Sequence, residues 1–189
     1  MGGHPHDRLV EGDVARGAEE TGIAVGEDAP VGRDEPVAKA GWVGRHPARH
    51  DDVAVRLWGL WEPPPGGKID FQEPYRELLE LIDRYNVVKI CYDPFQLEHF
   101  MQRLASRAWA SAFDQGAERN IADKTLFDLI RDRRIAHCGP AEIRQHLLHA
   151  NARITGDSRM RIEKRVERLK VDLAVALAMA SRECLRLLL

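Results

Sequence analysis

Four aspartates stand where strands and helices could deliver them to one place. Asp93 closes the apolar run ICYD and is followed by Pro94; Asp28 closes TGIAVGED, with Asp34 six residues on; Asp172 opens the small-residue stretch DLAVALAMA. Carboxylates are hard oxygen ligands, and three of them on rigid elements meeting at one sheet edge suit Mg2+ or Mn2+. Two such ions about 4 Å apart activate a water and stabilise the leaving oxygen in phosphodiester cleavage. Each residue also has a plain structural use. Asp before Pro starts turns well, and Asp in the first turn of a helix complements its dipole. Only convergence separates the two uses, and convergence is set by the elements that carry the residues.

The strand ending at Asp28 is short, with Ile23 and Val25 on one face and Glu27 awkwardly on the same face. VAKAGWVGRHP is a second strand and DVAVRLWGLWEP a third, stopped by the Pro-Pro-Pro-Gly-Gly run of residues 63–67. Three successive strands joined by turns predict a meander. Tyr75, Leu78, Leu79 and Ile82 recur at helical spacing, and VVKICYD then reads as a buried strand delivering Asp93 at its carboxyl end. A helix over about 95–106, a strand AWASAF, and helices over about 118–133 and 141–151 follow. A long helix from about 166 ends the chain, its alanines at 174, 176, 178 and 180 small enough to lie close on a sheet beside Asp172. The order, a strand meander followed by alternating strand and helix, predicts an α/β fold. Its mixed sheet has an antiparallel meander, then parallel strands, with helices on both faces.

Composition narrows the partners. Of 189 residues 44% are hydrophobic and 31% charged, with a net charge of -2 that selects nothing. The distribution is uneven: residues 1–100 hold 11 Lys/Arg against 19 Asp/Glu, and residues 101–189 hold 17 against 11. A basic carboxyl-terminal half suits a polyanion. Within it, residues 153–170 carry seven basic against three acidic side chains, read as a surface helix that is either a solvated face or a contact for a phosphate backbone. Cys91, Cys138 and Cys184 lie far apart without CxxC spacing, which argues against a zinc ribbon or disulfide framework and for plain core or surface thiols in a reducing compartment. No Walker A pattern is present, and charges interrupt the most apolar stretch, so a nucleotide-driven motor and a membrane span are both unexpected. Residues 1–21 are too polar to bury and are expected to form a flexible arm before a domain at 22–189.

Taken in order, GEDAPVGRD, RHPARHDDVAVRLWGLWEP, KIDF, ICYDPFQ, FDQGAERNIADKTLFDLIRDRRIAHCG, HANAR and KVDLAVALAMA resemble the carboxyl-terminal nuclease domain of the phage terminase large subunit, over about residues 22–182. Each motif is weak alone, and the ordered set is specific. The resemblance implies a ribonuclease H-like fold and a metal-dependent endonuclease that cleaves concatemeric viral DNA during packaging. It places Asp28, Asp93 and Asp172 as ligands of two divalent cations, Mg2+ or Mn2+. It also implies that Asp34, His137, Asn151 and Lys164 either support the ligands from behind or contact the substrate.

The implied partners are double-stranded DNA, a packaging ATPase domain, the small terminase subunit and the portal, in the cytoplasm of a bacterial host, with no membrane. The family's amino-terminal ATPase is not in this sequence, and Glu27 and Pro36 depart from the apolar residues usual near the first ligand. A truncated gene in a prophage remnant would account for both. A non-catalytic DNA-binding or assembly module is the rival expectation, and a junction resolvase or transposase of the same fold is a third.

Overall fold

The computed structural model describes residues 23–25, 37–46, 49–65, 67–137, 141–155, 157 and 159–187, with side chains from Asp52 onward except at 56–58 and 96. Among these, β1 (Ile23–Val25) pairs antiparallel with β2 (Val37–His46), and β2 antiparallel with β3 (Arg49–Trp61), which is the expected meander. β4 (Ile90–Tyr92) runs parallel to β1, β5 (Ala110–Ala112) parallel to β4, and β6 (Ile135–His137) parallel to β3. The strand order is β5-β4-β1-β2-β3-β6. Every described strand of this sheet except β2 therefore shares one direction, and their carboxyl ends form one edge.

The period-two alternation of β4 splits the core. Ile90 and Tyr92 pack with Leu78 of α1 (Gln72–Arg84) and with Leu97, Met101 and Leu104 of α2 (Pro94–Leu104). Cys91 belongs to the opposite core, with Val53 and Val55 of β3, Leu126 and Leu129 of α3 (Ala117–Arg131), and Val175 and Met179 of α5 (Asp172–Arg186). Helices thus cover both faces, as the element order predicts. None of residues 173–181 is more than 4% exposed, and the four alanines let α5 lie against β1 to β4. Burial pushes the Cys91 thiol up to about 12, with Glu183 adding to the rise. Of the two expected places, core or surface, Cys91 and Cys184 take the core; Cys138 lies outside the described residues.

Two expectations need correction. Among its described residues the basic stretch contains no helix. Its residues form β7 (Ala150–Ile154) and β8 (Met160–Lys164), an antiparallel pair in which Arg153 faces Arg161. The reason is alternation: Met160 and Ile162 are buried while Arg161 and Glu163 are only partly so, a strand pattern that the arginine count obscures. The last helix begins at Asp172 rather than near 166, because residues 165–169 turn, with the Leu169 N–H donating to the Val166 carbonyl at 2.9 Å. β6 was not expected as a strand. It follows a tight exit from α3, where Arg133 takes a φ of 56° and the Arg134 N–H donates to the Leu129 carbonyl at 2.7 Å. The expected arm at residues 1–21 lies outside the described residues.

Candidate metal centre

The Tyr-Asp-Pro motif is a strand end, a cap and a helix start in three residues. Tyr92 ends β4, Asp93 takes an extended backbone (φ -72°, ψ 124°), and Pro94 opens α2 where a missing N–H is harmless. The Asp93 carboxylate accepts the Phe95 N–H at 2.9 Å and is 8% exposed. Register sets the neighbouring strand: Val25, the last residue of β1, lies opposite Tyr92. Two parallel strands therefore stop side by side at the edge where Asp93 sits. Asp28, three residues past β1, and Asp34 lie outside the described residues.

Asp172 is the first residue of α5 and is 1% exposed. The other end of this helix is tied down. Glu183 pairs in the interior with Lys89, the residue before β4, and also accepts from Arg186. Burial raises the Glu183 carboxyl, but these hydrogen bonds and charges outweigh it and hold it below the usual range. Eleven residues of helix separate Glu183 from Asp172, about 16 Å at 1.5 Å per residue. Asp172 thus lies far from the amino edge of β4 where Lys89 anchors the helix.

The start of α5 has no cap of its own, since its N-cap residue is Val171. Its first-turn N–H groups need outside acceptors. One comes from α4 (Ala141–His149): the Leu173 N–H donates to Nδ1 of His146 at 3.1 Å. One turn along α4, Nδ1 of His149 is 3.1 Å from the Lys170 carbonyl oxygen, and the two imidazoles stack with centroids 6.3 Å apart. Both histidines were overlooked in the sequence. The signal was their spacing of three on one helical face, His149 being the first residue of HANAR.

The other expected residues are dispersed. His137 ends β6, exposed, on the edge strand four inter-strand spacings from β4, about 19 Å at 4.8 Å each. It is not brought to Asp93. Asn151 is exposed on β7 opposite Glu163, and Lys164 ends β8 opposite Ala150, so these two are neighbours on the hairpin. The hairpin is fixed to α3 by a buried pair. Asp123 accepts Arg119 Nε and the Ile162 N–H, each at 2.8 Å, and both charged side chains are 0% exposed. Burial raises the Asp123 carboxyl despite the opposing Arg119 charge. Between α3 and the hairpin lies a polar cleft of 670 Å3 lined by Gln115, Asn120, Arg153, Arg159, Arg161 and Glu163. Arg153 pairs with Glu163 and Arg159 with Asp157, both at 2.9 Å, which tempers its positive charge.

Among the described residues no group of three or more His, Cys, Asp or Glu side chains converges to hold a metal ion. Asp93 and Asp172 nevertheless have the right chemistry: buried hard-oxygen donors, each at a helix start.

A mixed sheet with a leading antiparallel meander, parallel strands and helices on both faces defines a ribonuclease H-like α/β protein. Residues 59–186 match the family described as terminase large subunit, endonuclease domain, and the chain belongs to that family. Among solved structures, the large terminase of bacteriophage HK97 is similar with a TM-score of 0.70 at 14% identity, covering 86% of this chain. The large terminase nuclease of thermophilic phage G20c is similar with a TM-score of 0.56 at 13% identity, covering 84% of this chain and 78% of its own length. A G20c nuclease structure with bound magnesium is similar at a TM-score of 0.50 and 12% identity, covering 84% of this chain and 91% of its own. The chain spans 38% of the length of the HK97 protein. No curated protein matches it.

Proposed function

We propose that this chain is a metal-dependent DNA endonuclease domain that cuts concatemeric viral DNA during packaging. The observation that carries the reading is a buried carboxylate, Asp93, at the carboxyl end of a parallel strand, inside the segment that matches the nuclease family. Asp28, Asp93 and Asp172 are assigned as the ligands of two Mg2+ or Mn2+ ions, a choice supported by the magnesium-bound G20c nuclease among the structural neighbours. When bound, such a pair activates water and stabilises the leaving oxygen of a phosphodiester. Lys164 and Asn151 would meet the DNA backbone from the hairpin; Asp34 would support the site from further out, and His137, at the far edge of the sheet, would touch the DNA rather than the metal ligands. Residues 22–189 form the domain and 1–21 an arm in this reading. The partners are double-stranded DNA, a packaging ATPase domain, the small terminase subunit and the portal, in the host cytoplasm.

The second reading, a DNA-binding or assembly module without turnover, draws on the arginine-lined cleft of the hairpin. One experiment divides the two. The purified chain is incubated with supercoiled plasmid and Mn2+ or Mg2+, with EDTA and Asp93→Ala as controls. Nicking that requires the metal and vanishes in the variant supports the nuclease. Intact plasmid together with salt-sensitive DNA retention supports the module.

A further inference from the structure

α5 begins without a side-chain cap, yet its first residue has to be held if it is to serve as a ligand. The backbone on either side of Asp172 is gripped from α4: the Lys170 carbonyl by His149 and the Leu173 N–H by His146, both at 3.1 Å. We propose that His146 and His149 are positioning residues, a two-imidazole clamp that sets the Asp172 carboxylate for metal binding. This inference rests on the assignment of Asp172 as a ligand.

The hydrogen-bond directions require opposite tautomers. His146 accepts at Nδ1, so its proton is on Nε2; His149 donates from Nδ1 to a carbonyl. A neutral His146 is what the surroundings favour. It is 5% exposed, and burial, with His149 and Lys170 nearby, brings its pKa down to about 4, against a smaller opposing effect of Glu142. The imidazole therefore keeps its acceptor lone pair at neutral pH. Groups that orient metal ligands without touching the ion typically change affinity by about 10–100-fold when removed. The clamp acts one step further back, on the peptide units flanking the ligand.

The test measures Mn2+ affinity of the full chain at pH 7.5 by calorimetry and by the electron paramagnetic resonance of free Mn2+, with melting curves to confirm folding. His146→Leu keeps the bulk and removes the acceptor; His149→Leu, at a half-buried position, is the milder second variant should His146→Leu fail to fold. Each is expected to weaken Mn2+ binding by about 10-fold or more, while His146→Asn, whose amide oxygen replaces Nδ1 as acceptor, restores most of it. Folded leucine variants that melt lower but bind Mn2+ as the wild type does would overturn the clamp and leave the Asp172 assignment standing. Asp172→Asn with wild-type Mn2+ affinity would overturn both.

Discussion

Asp93 and Asp172 are both buried carboxylates at helix starts, but they are held in different ways. Asp93 is its own N-cap. Its carboxylate accepts the N–H two residues on, and Pro94 fixes the first helical position, so three consecutive residues contain the whole device. Asp172 lies one position inside a helix whose N-cap is Val171, and the next N–H, that of Leu173, donates to a histidine 27 residues before Leu173 in the chain. The first arrangement is local and the second tertiary. A local device forms whenever its helix forms; a tertiary one exists only once α4 and α5 have docked.

The largest expected effect tests whether the two serve one function despite that difference. Asp93→Asn and Asp172→Asn should each reduce metal-dependent nicking by about 10³-fold or more, since a misplaced metal forfeits several kcal/mol of transition-state stabilisation. Both should also lose the stabilisation that saturating Mg2+ gives the wild type, roughly 2.7 kcal/mol at a hundred times Kd, read as a rise in Tm. An Asp93→Asn protein that keeps the full Mg2+-linked rise would show that Asp93 is a cap only, and the pair would no longer form one site.

A smaller effect separates the tertiary support from the local one by pH. The folded pKa of His146 is about 4 against an ordinary 6.5. Above pH 6.5 the ring is neutral folded or unfolded, and its contribution is fully present. As pH falls from 6.5 towards 4 the unfolded chain takes up a proton that the folded chain refuses, so stability is lost, up to about 3 kcal/mol and about 2 kcal/mol by pH 5. Urea unfolding at pH 7 and pH 5 should therefore show a steeper loss for wild type than for His146→Asn. The difference between the two proteins isolates this imidazole from the carboxylates that titrate in the same range. Equal slopes would mean that the folded ring takes up its proton as readily as the unfolded one, so that its lone pair is not committed to the Leu173 N–H.

The same division between local and tertiary decides what could be read in advance. The meander, the β4 strand and the Asp93 turn are written in consecutive residues, and the alanines at alternate positions announce that α5 lies close on something. The hairpin was hidden because its arginines, Glu163 and Lys164 mimic a charged helix surface; only Met160 and Ile162, two apart, carry the strand period. β6 was missed because its three residues gain their status from pairing with Val53 to Val55, a contact 82 positions away in sequence. The histidine clamp was invisible for a similar reason. Its spacing marks a helical face, but nothing local says that the face meets the start of α5. Asp93 and Asp172 could be singled out by type and place, whereas the supports of Asp172 required the fold.

The smallest effect concerns Asp93 itself, where two roles share one carboxylate. Asn and Asp are comparable N-caps, so Asp93→Asn should leave the metal-free stability within a few tenths of a kcal/mol, whereas Asp93→Ala should lower it by about 1 kcal/mol. Urea midpoints measured in EDTA check this without any contribution from bound ions. Both substitutions remove the ligand charge, so they should be alike in nicking and unlike in stability. That crossing pattern is what a residue that caps its own helix and also binds metal has to produce. Equal stability of the two variants would mean that the Phe95 N–H does not depend on this side chain, and the local half of the contrast with Asp172 would be lost.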